Sequence, residues 1–273
     1  MSAIELFLDY PFMQRALLAA LIVAALSAAL GVYVVLRGLA LLGDGLAHIS
    51  FAGIALGLVL GIYPLALALV AAILGALAIH ALRAREIVRG DTAIGILFTA
   101  GLALGILIVS RNRGVGADLA GYLFGNLLAV SARDVAVVAI AAAILLALLV
   151  LLHKELFYIT FSEEAARLSG LPVAALNVVF TAATAASVVI ATRIVGVLLV
   201  SALLIVPAAT ALQLGRSFRA TLAWSIGFGF LSVTLGVFAA AQWGLATGAS
   251  VALASTLLFV VVLAGKRALR STG

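Results

Sequence analysis

Residues 134–152 read DVAVVAIAAAILLALLVLL, nineteen positions whose only charged side chain is the first. A helix rises about 1.5 Å per residue, so this run alone is long enough to cross a hydrocarbon core about 30 Å thick. Similar apolar runs recur near residues 13–36, 39–62, 65–82, 92–109, 174–192, 195–214, 220–241 and 249–265. The expected fold class is therefore all-α: a polytopic membrane protein with about eight to nine transmembrane helices. The composition agrees, with 66% hydrophobic and 10% charged residues and a mean hydropathy of +1.37. A globular domain carries about 25% charged residues. The polar intervals are too short to bury a core of their own, so residues 1–273 are read as a single transmembrane domain.

The net charge of +6 comes from Lys and Arg placed mostly just beyond the apolar runs. In a membrane protein that placement reports orientation, because cytoplasmic loops retain Lys and Arg. It gives no support to a nucleic-acid partner. The clusters Arg83/Arg85/Arg89, Lys154/Arg167, Arg216/Arg219 and Lys266/Arg267/Arg270 are separated by even numbers of crossings, which puts all four inside. Arg37 also falls inside. Nine spans then leave the C-terminus inside and the N-terminus outside, with Arg111, Arg113 and Arg193 counting against the scheme. An eight-span count follows if one early segment is not a full crossing. The segment containing Glu5 and Asp9 lacks the basic start of a cleavable signal peptide. With no cysteine in the chain, disulfides and thiolate ligands are excluded, which leaves His and carboxylates for metal chemistry.

Residues 114–131 (GVGADLAGYLFGNLLAVS) are apolar but short and broken by Gly, which predicts a re-entrant or half-helix segment packed within protein. Ser131 with Asp134, and Asp91 with Thr92, are placed to cap the helices that follow them. Gly53, Gly57 and Gly61 recur every four positions, a spacing that permits close helix contact in a membrane. His80 and His153 each end an apolar run beside basic residues, where the helix dipole and the last carbonyls favour imidazole. Pro207 inside a span predicts a kink whose freed backbone groups are satisfied by neighbours or water.

Asp44 and His48 differ from these. They lie four residues apart in Gly43-Asp44-Gly45-Leu46-Ala47-His48, inside an apolar run. On a helix that spacing stacks a carboxylate and an imidazole on one face, one turn apart. An ionisable residue at mid-depth costs at least about 2.5–3.5 kcal/mol, so a membrane chain that retains two of them in register points to function. Oxygen and nitrogen donors of this kind suit divalent transition metals. Two ligands are fewer than the four of a closed structural zinc site, and incomplete ligation suits an ion that must leave again.

Between two spans, residues 157–172 read FYITFSEEAARLSGLP, a short amphipathic stretch outside the membrane. Its Glu164-Ala165-Ala166, three residues, Gly170 order resembles the Glu-Ala-Ala…Gly loop of ABC importer permeases. The run from Gly38 to Gly53 resembles the Leu-Gly-Asp-x-x-x-His segment of zinc and manganese uptake permeases. Asp91-Thr92-Ala93-Ile94-Gly95-Ile96 and Leu123-Phe124-Gly125-Asn126 are similar to that family's next signatures. Val195-Gly196-Val197-Leu198-Leu199-Val200, followed by Pro207-Ala208-Ala209-Thr210-Ala211, resembles its most recognisable stretch. The matches fall in order from about residue 10 to 265, and together they resemble the metal-ion (zinc/manganese) ABC transporter permease family, of the ZnuB type.

That resemblance implies an ABC importer permease fold in the inner (plasma) membrane, surrounded by lipid. It implies a homodimer with a second permease copy, a separate ABC ATPase subunit and an extracytoplasmic metal-binding protein. Asp44 and His48 become the metal-holding residues, and Glu163, Glu164, Ala165, Ala166 and Gly170 the loop that couples to the ATPase. No cofactor is expected, only the transported zinc or manganese ion. The chain contains no Gly-x4-Gly-Lys-Ser/Thr phosphate loop, so it is read as a transport subunit and not an enzyme. It departs from the family at Trp243-Gly244-Leu245-Ala246-Thr247-Gly248, where Gly244 stands in place of an Asp. Three other readings stay open: a permease for siderophore or cobalamin, an ion-coupled secondary transporter using Asp44 and His48 as a proton relay, and an intramembrane enzyme. The donor set alone does not separate zinc from manganese or iron.

Overall fold

Each apolar run forms a helix, because within lipid the backbone must satisfy its own hydrogen bonds. The structure is a computed structural model and describes residues 10–84, 91–112, 116–125, 130–197 and 199–271. In chain order the helices are α1 (Pro11–Leu36), α2 (Leu42–Leu60), α3 (Pro64–Ala84), α4 (Thr92–Arg111), α5 (Gly116–Phe124) and α6 (Ala132–Leu151). They continue with α7 (His153–Phe161), α8 (Glu163–Leu168), α9 (Val173–Val195), α10 (Val200–Leu214), α11 (Phe218–Trp243) and α12 (Thr247–Ser271). Eight of these are long and apolar enough to cross a membrane, and α10 is a shorter apolar helix. This is the polytopic all-α architecture the sequence predicts. Asn126, Leu198, Arg85, Arg89, Arg113, Glu5, Asp9 and the side chain of Arg270 lie outside the described residues.

The two ends of the bundle can be told apart by what meets there. At one end Arg37, Arg83 and Arg167 line a common cavity with Glu163 and Asn177. The Tyr33 hydroxyl and His153 Nδ1 lie 3.0 Å apart, and the Phe218 ring packs on both side chains. Lys266 Nζ donates to Gln213 Oε1 at 3.2 Å. Described members of all four basic clusters therefore gather at this end, as the orientation rule requires of a cytoplasmic face. Arg193 lies at the opposite end, where it pairs with Asp134 at 3.4 Å and reaches the Tyr122 hydroxyl at 3.3 Å.

Helix contacts are set largely by glycine. A Cβ on Gly31 of α1 would fall 1.8 Å from the Leu204 carbonyl oxygen of α10, so the two backbones touch directly. A Cβ on Gly53 or Gly57 of α2 would likewise clash with the start of α3, 2.5 Å from the Leu67 oxygen and 2.7 Å from Pro64 Cα. This is the close approach that small residues permit in a membrane. Gly61, the third of that series, follows the last residue of α2 and ends the helix instead of packing it.

Segment 114–131 contains α5, nine residues long and far too short to span. Its end abuts the break between α9 and α10: the Val197 N–H donates to the Tyr122 carbonyl at 2.9 Å. Gly125 and Gly196 both have positive φ (75° and 92°). Any Cβ there would strike backbone of the facing segment, at 2.6 Å from the Ile194 oxygen and 2.4 Å from the Leu123 oxygen. Gly248, at the start of α12, meets the same point, 2.3 Å from the Val195 oxygen. Irregular backbone is thus buried against irregular backbone, which is how a membrane fold tolerates it.

Of three local expectations, one holds and two need adjusting. Ser131 and Asp134 form the predicted capping box at the start of α6. Asp91 occupies the N-cap of α4, but its side chain makes no cap hydrogen bond because its backbone is already helical. His153 opens α7 rather than closing α6, and its partner is the distant Tyr33 hydroxyl instead of terminal carbonyls.

Candidate metal site and coupling loop

Asp44 and His48 sit in the first two turns of α2. The residues beside Asp44 fix its place. Gly43 abuts Ser201 and Leu204 of α10, and Gly45 abuts Ile94 of α4. The pair therefore lies level with the first turns of α10, just after the broken segment. His48 is 7% exposed, and its ring packs against Phe98 of α4 with centroids 4.1 Å apart. Gly101 of α4 lies under the same turn: a Cβ there would be 2.8 Å from the His48 carbonyl oxygen and from Ile49 Cα and N.

His48 Nδ1 lies 2.9 Å from the Asp44 carbonyl oxygen, one helical turn back. A carbonyl can only accept, so Nδ1 carries the proton and donates it. In the neutral ring this leaves Nε2 with its lone pair free for a ligand. Such a bond at the far nitrogen is the usual way a protein fixes the tautomer of a metal-binding imidazole. No described residue hydrogen-bonds or pairs with the Asp44 carboxylate. Among the described residues, no three His, Asp or Glu side chains gather to hold a metal ion. The site therefore offers one nitrogen and one carboxylate, with the remaining coordination open.

Segment 157–172 forms two helices where the sequence suggested one amphipathic stretch. α7 ends at Phe161, and Ser162 caps α8 by accepting from the Ala165 N–H at 3.1 Å. Gly170 has φ 81°, and the Leu171 N–H donates to the Ala166 oxygen at 3.1 Å while the Gly170 N–H donates to the Arg167 oxygen at 3.1 Å. That pair of bonds is a Schellman C-cap, which places a left-handed residue at Gly170. The Glu-Ala-Ala-x3-Gly spacing therefore encodes one short helix with both ends closed. Ala166 is fully buried beneath it and Leu168 is 85% exposed. Glu164 is exposed as well.

The residue that sequence reading used only for orientation is Arg37. Its Nη2 donates to Glu163 Oε1 at 2.9 Å and to Asn177 Oδ1, and its guanidinium lies over the Phe180 ring. Burial pushes Arg37 below its ordinary pKa, and Glu163 opposes that shift. No short-range pattern in the sequence links positions 37, 163 and 177.

A bundle of spans with a half-helix packed on a broken span, and a short capped helix projecting at the basic end, is the fold of ABC importer permeases. Residues 9–266 match the model of the ABC 3 transport family. The chain belongs to this family and is a multi-pass protein of the plasma membrane. It is 34% identical to the manganese transport system membrane protein MntC of Halalkalibacterium halodurans, over 96% of this chain and 91% of the relative. It is also 34% identical to the high-affinity zinc uptake system membrane protein ZnuB of Haemophilus influenzae, over 91% and 95% of the two chains. A solved structure, PsaBC from Streptococcus pneumoniae in complex with Fab, superposes with a TM-score of 0.88 at 31% identity and covers 99% of both chains.

Proposed function

We propose that this chain is the transmembrane permease subunit of an ATP-driven importer for a divalent transition metal, zinc first and manganese second. The observation that carries the reading is the Nδ1–H bond from His48 to the Asp44 carbonyl, 2.9 Å long, which leaves Nε2 free one turn from a carboxylate without a described partner. A cation delivered from outside must shed water to enter an apolar bundle. Asp44 supplies negative charge and His48 a neutral nitrogen to replace part of that water. An imidazole favours zinc over a site built only of oxygen, and relatives named for zinc and for manganese both support a metal cargo.

In this reading two permease copies enclose the path, and the second copy or water completes the coordination. A separate ATPase subunit grips the exposed side of α8, and an extracytoplasmic protein delivers the ion. Closure of the ATPase then switches the path from outward to inward access. The test is uptake of zinc, manganese and iron isotopes in cells that carry this chain, lack it, or carry the Asp44→Ala/His48→Ala double variant. Metal uptake is expected to disappear in the last two. Normal uptake by a stably expressed double variant would refute the reading.

A further inference from the structure

Arg37 is the cap residue of α1, and its backbone is held rigidly. The Leu39 N–H donates to the Val34 oxygen at 2.9 Å, and the Gly38 N–H to the Val35 oxygen at 3.1 Å. The Leu42 N–H donates to the Leu39 oxygen at 2.9 Å, so a short bonded turn leads straight into α2. Asp44 is the third residue of that helix. Any displacement of Arg37 is therefore conveyed to Asp44 through a connection with little slack.

The Arg37 side chain is only 8% exposed and belongs to three elements at once. Its Nη2 bonds Glu163 of α8 and Asn177 of α9. Asn177 Nδ2 donates to the same Glu163 Oε1 at 3.2 Å, which closes a ring of three hydrogen bonds. The guanidinium rests 4.9 Å from the Phe180 ring centroid, and Phe180 in turn packs on Tyr33 of α1. Arg37 Nη1 is buried without a partner among the described residues. Arg83, Arg167 and His80 line the same 490 Å³ cavity, with Glu163 the only carboxylate among its described lining residues. Glu163, half exposed at the edge of this cavity, is thus the counter-charge to the buried Arg37 guanidinium. Its neighbour Glu164 is exposed and forms no ion pair among the described residues.

We propose that Arg37, Glu163 and Asn177 form a clamp that ties α8 to the turn between α1 and α2, so that ATPase-driven motion of α8 is passed to the helix bearing Asp44 and His48. The clamp divides the short helix in two. Ala166 is buried against the spans, and Glu163, half exposed at their edge, ties the helix to Arg37, while Glu164 and Leu168 are exposed. Glu163 is a positioning residue: it touches no metal and acts through Arg37. This rests on the reading of α8 as the coupling helix and of Asp44 and His48 as the metal-holding pair.

The test uses the full complex of permease, ATPase and delivery protein reconstituted in lipid vesicles, with zinc imported and ATP hydrolysed measured together. Glu163→Gln should still co-purify with the ATPase and hydrolyse ATP, but zinc imported per ATP should fall about tenfold, within the roughly 5–150-fold span of typical site-to-site coupling. Arg37→Gln should behave alike, and Arg37→Lys, which keeps the charge and one bond, should recover much of the ratio. The exchanged pair Arg37→Glu with Glu163→Arg should do better than either single change. A wild-type zinc-to-ATP ratio in Glu163→Gln overturns the clamp. So does loss of ATPase co-purification, which would make Glu163 a docking residue. Asp44→Ala, measured alongside, separates this result from the underlying reading: import at the wild-type ratio in that variant removes the metal site, while the Glu163→Gln ratio still reports on the clamp.

Discussion

Replacing Gly101 by Ala puts one methyl group between α4 and the turn of α2 that carries His48. The new Cβ would lie 2.8 Å from the His48 carbonyl oxygen, Ile49 Cα and Ile49 N. Carbon atoms pack best at about 3.5–4.0 Å, so the helices must part locally by about 0.7 Å or more. All three atoms are backbone, so no side chain can rotate out of the way. Overpacking of this kind costs about 1–3 kcal/mol. Ala is favoured over Gly within a helix by about 0.5–1 kcal/mol, which offsets part of that cost. The net loss is about 0–2.5 kcal/mol, centred near 1, a fall in melting temperature of a few degrees for a chain of this size. The same separation loosens the Phe98 ring from His48, now 4.1 Å away. Changes to the groups that orient a metal-binding imidazole typically cost about 10–100-fold in affinity, so apparent zinc affinity in uptake should fall about tenfold. Gly227→Ala in α11 is the control, since a Cβ there has nothing within 4 Å. Thermal unfolding in detergent and zinc uptake should both separate the two variants. If Gly101→Ala melts with Gly227→Ala and imports zinc with wild-type affinity, the close packing of α4 on the His48 turn is wrong.

Two other substitutions test the glycine positions. Gly196→Ala combines an extended positive-φ backbone (φ 92°, ψ 153°), worth about 1–3 kcal/mol of strain for a residue with a side chain, with a Cβ 2.4 Å from the Leu123 oxygen. Gly244→Asp has instead a left-handed helical backbone (φ 64°, ψ 32°) and open space, and Asp tolerates that region better than most residues. Gly196→Ala should lower the melting temperature sharply, and Gly244→Asp should change it little. Gly170→Ala should strain the cap of α8 by about 1–2 kcal/mol, seen as faster amide exchange at positions 170 and 171, the N–H donors to the Arg167 and Ala166 oxygens respectively, with exchange in α9 unchanged.

The number and order of the long helices were legible because a run such as 134–152 has no other way to satisfy its backbone in lipid. The half-helix within 114–131 was legible from its length and its glycines, and the capping box at Ser131 from local spacing. Asp44 and His48 stood out because charge in an apolar run is costly, and their one-turn relation follows from helix geometry. What could not be read was partnership across the chain. Arg37 meets residues 126 and 140 positions away, and His153 meets Tyr33 over 120 positions. The meeting of Gly125, Gly196 and Gly248 depends likewise on the tertiary path. Periodicity is silent on such pairs, and helices that are apolar all round do not show which face will be buried. That Glu163 and not Glu164 pairs with Arg37 could not be told in sequence either, since which of two adjacent residues meets a distant partner depends on the packing of the helix.

The most direct test of the metal site is X-ray absorption at the zinc edge, on the permease–ATPase complex loaded with zinc in the absence of the delivery protein. An imidazole nitrogen and carboxylate oxygen are expected in the zinc shell, with the imidazole signal lost in His48→Ala and the oxygen contribution reduced in Asp44→Ala. Spectra unchanged in both variants would contradict the account.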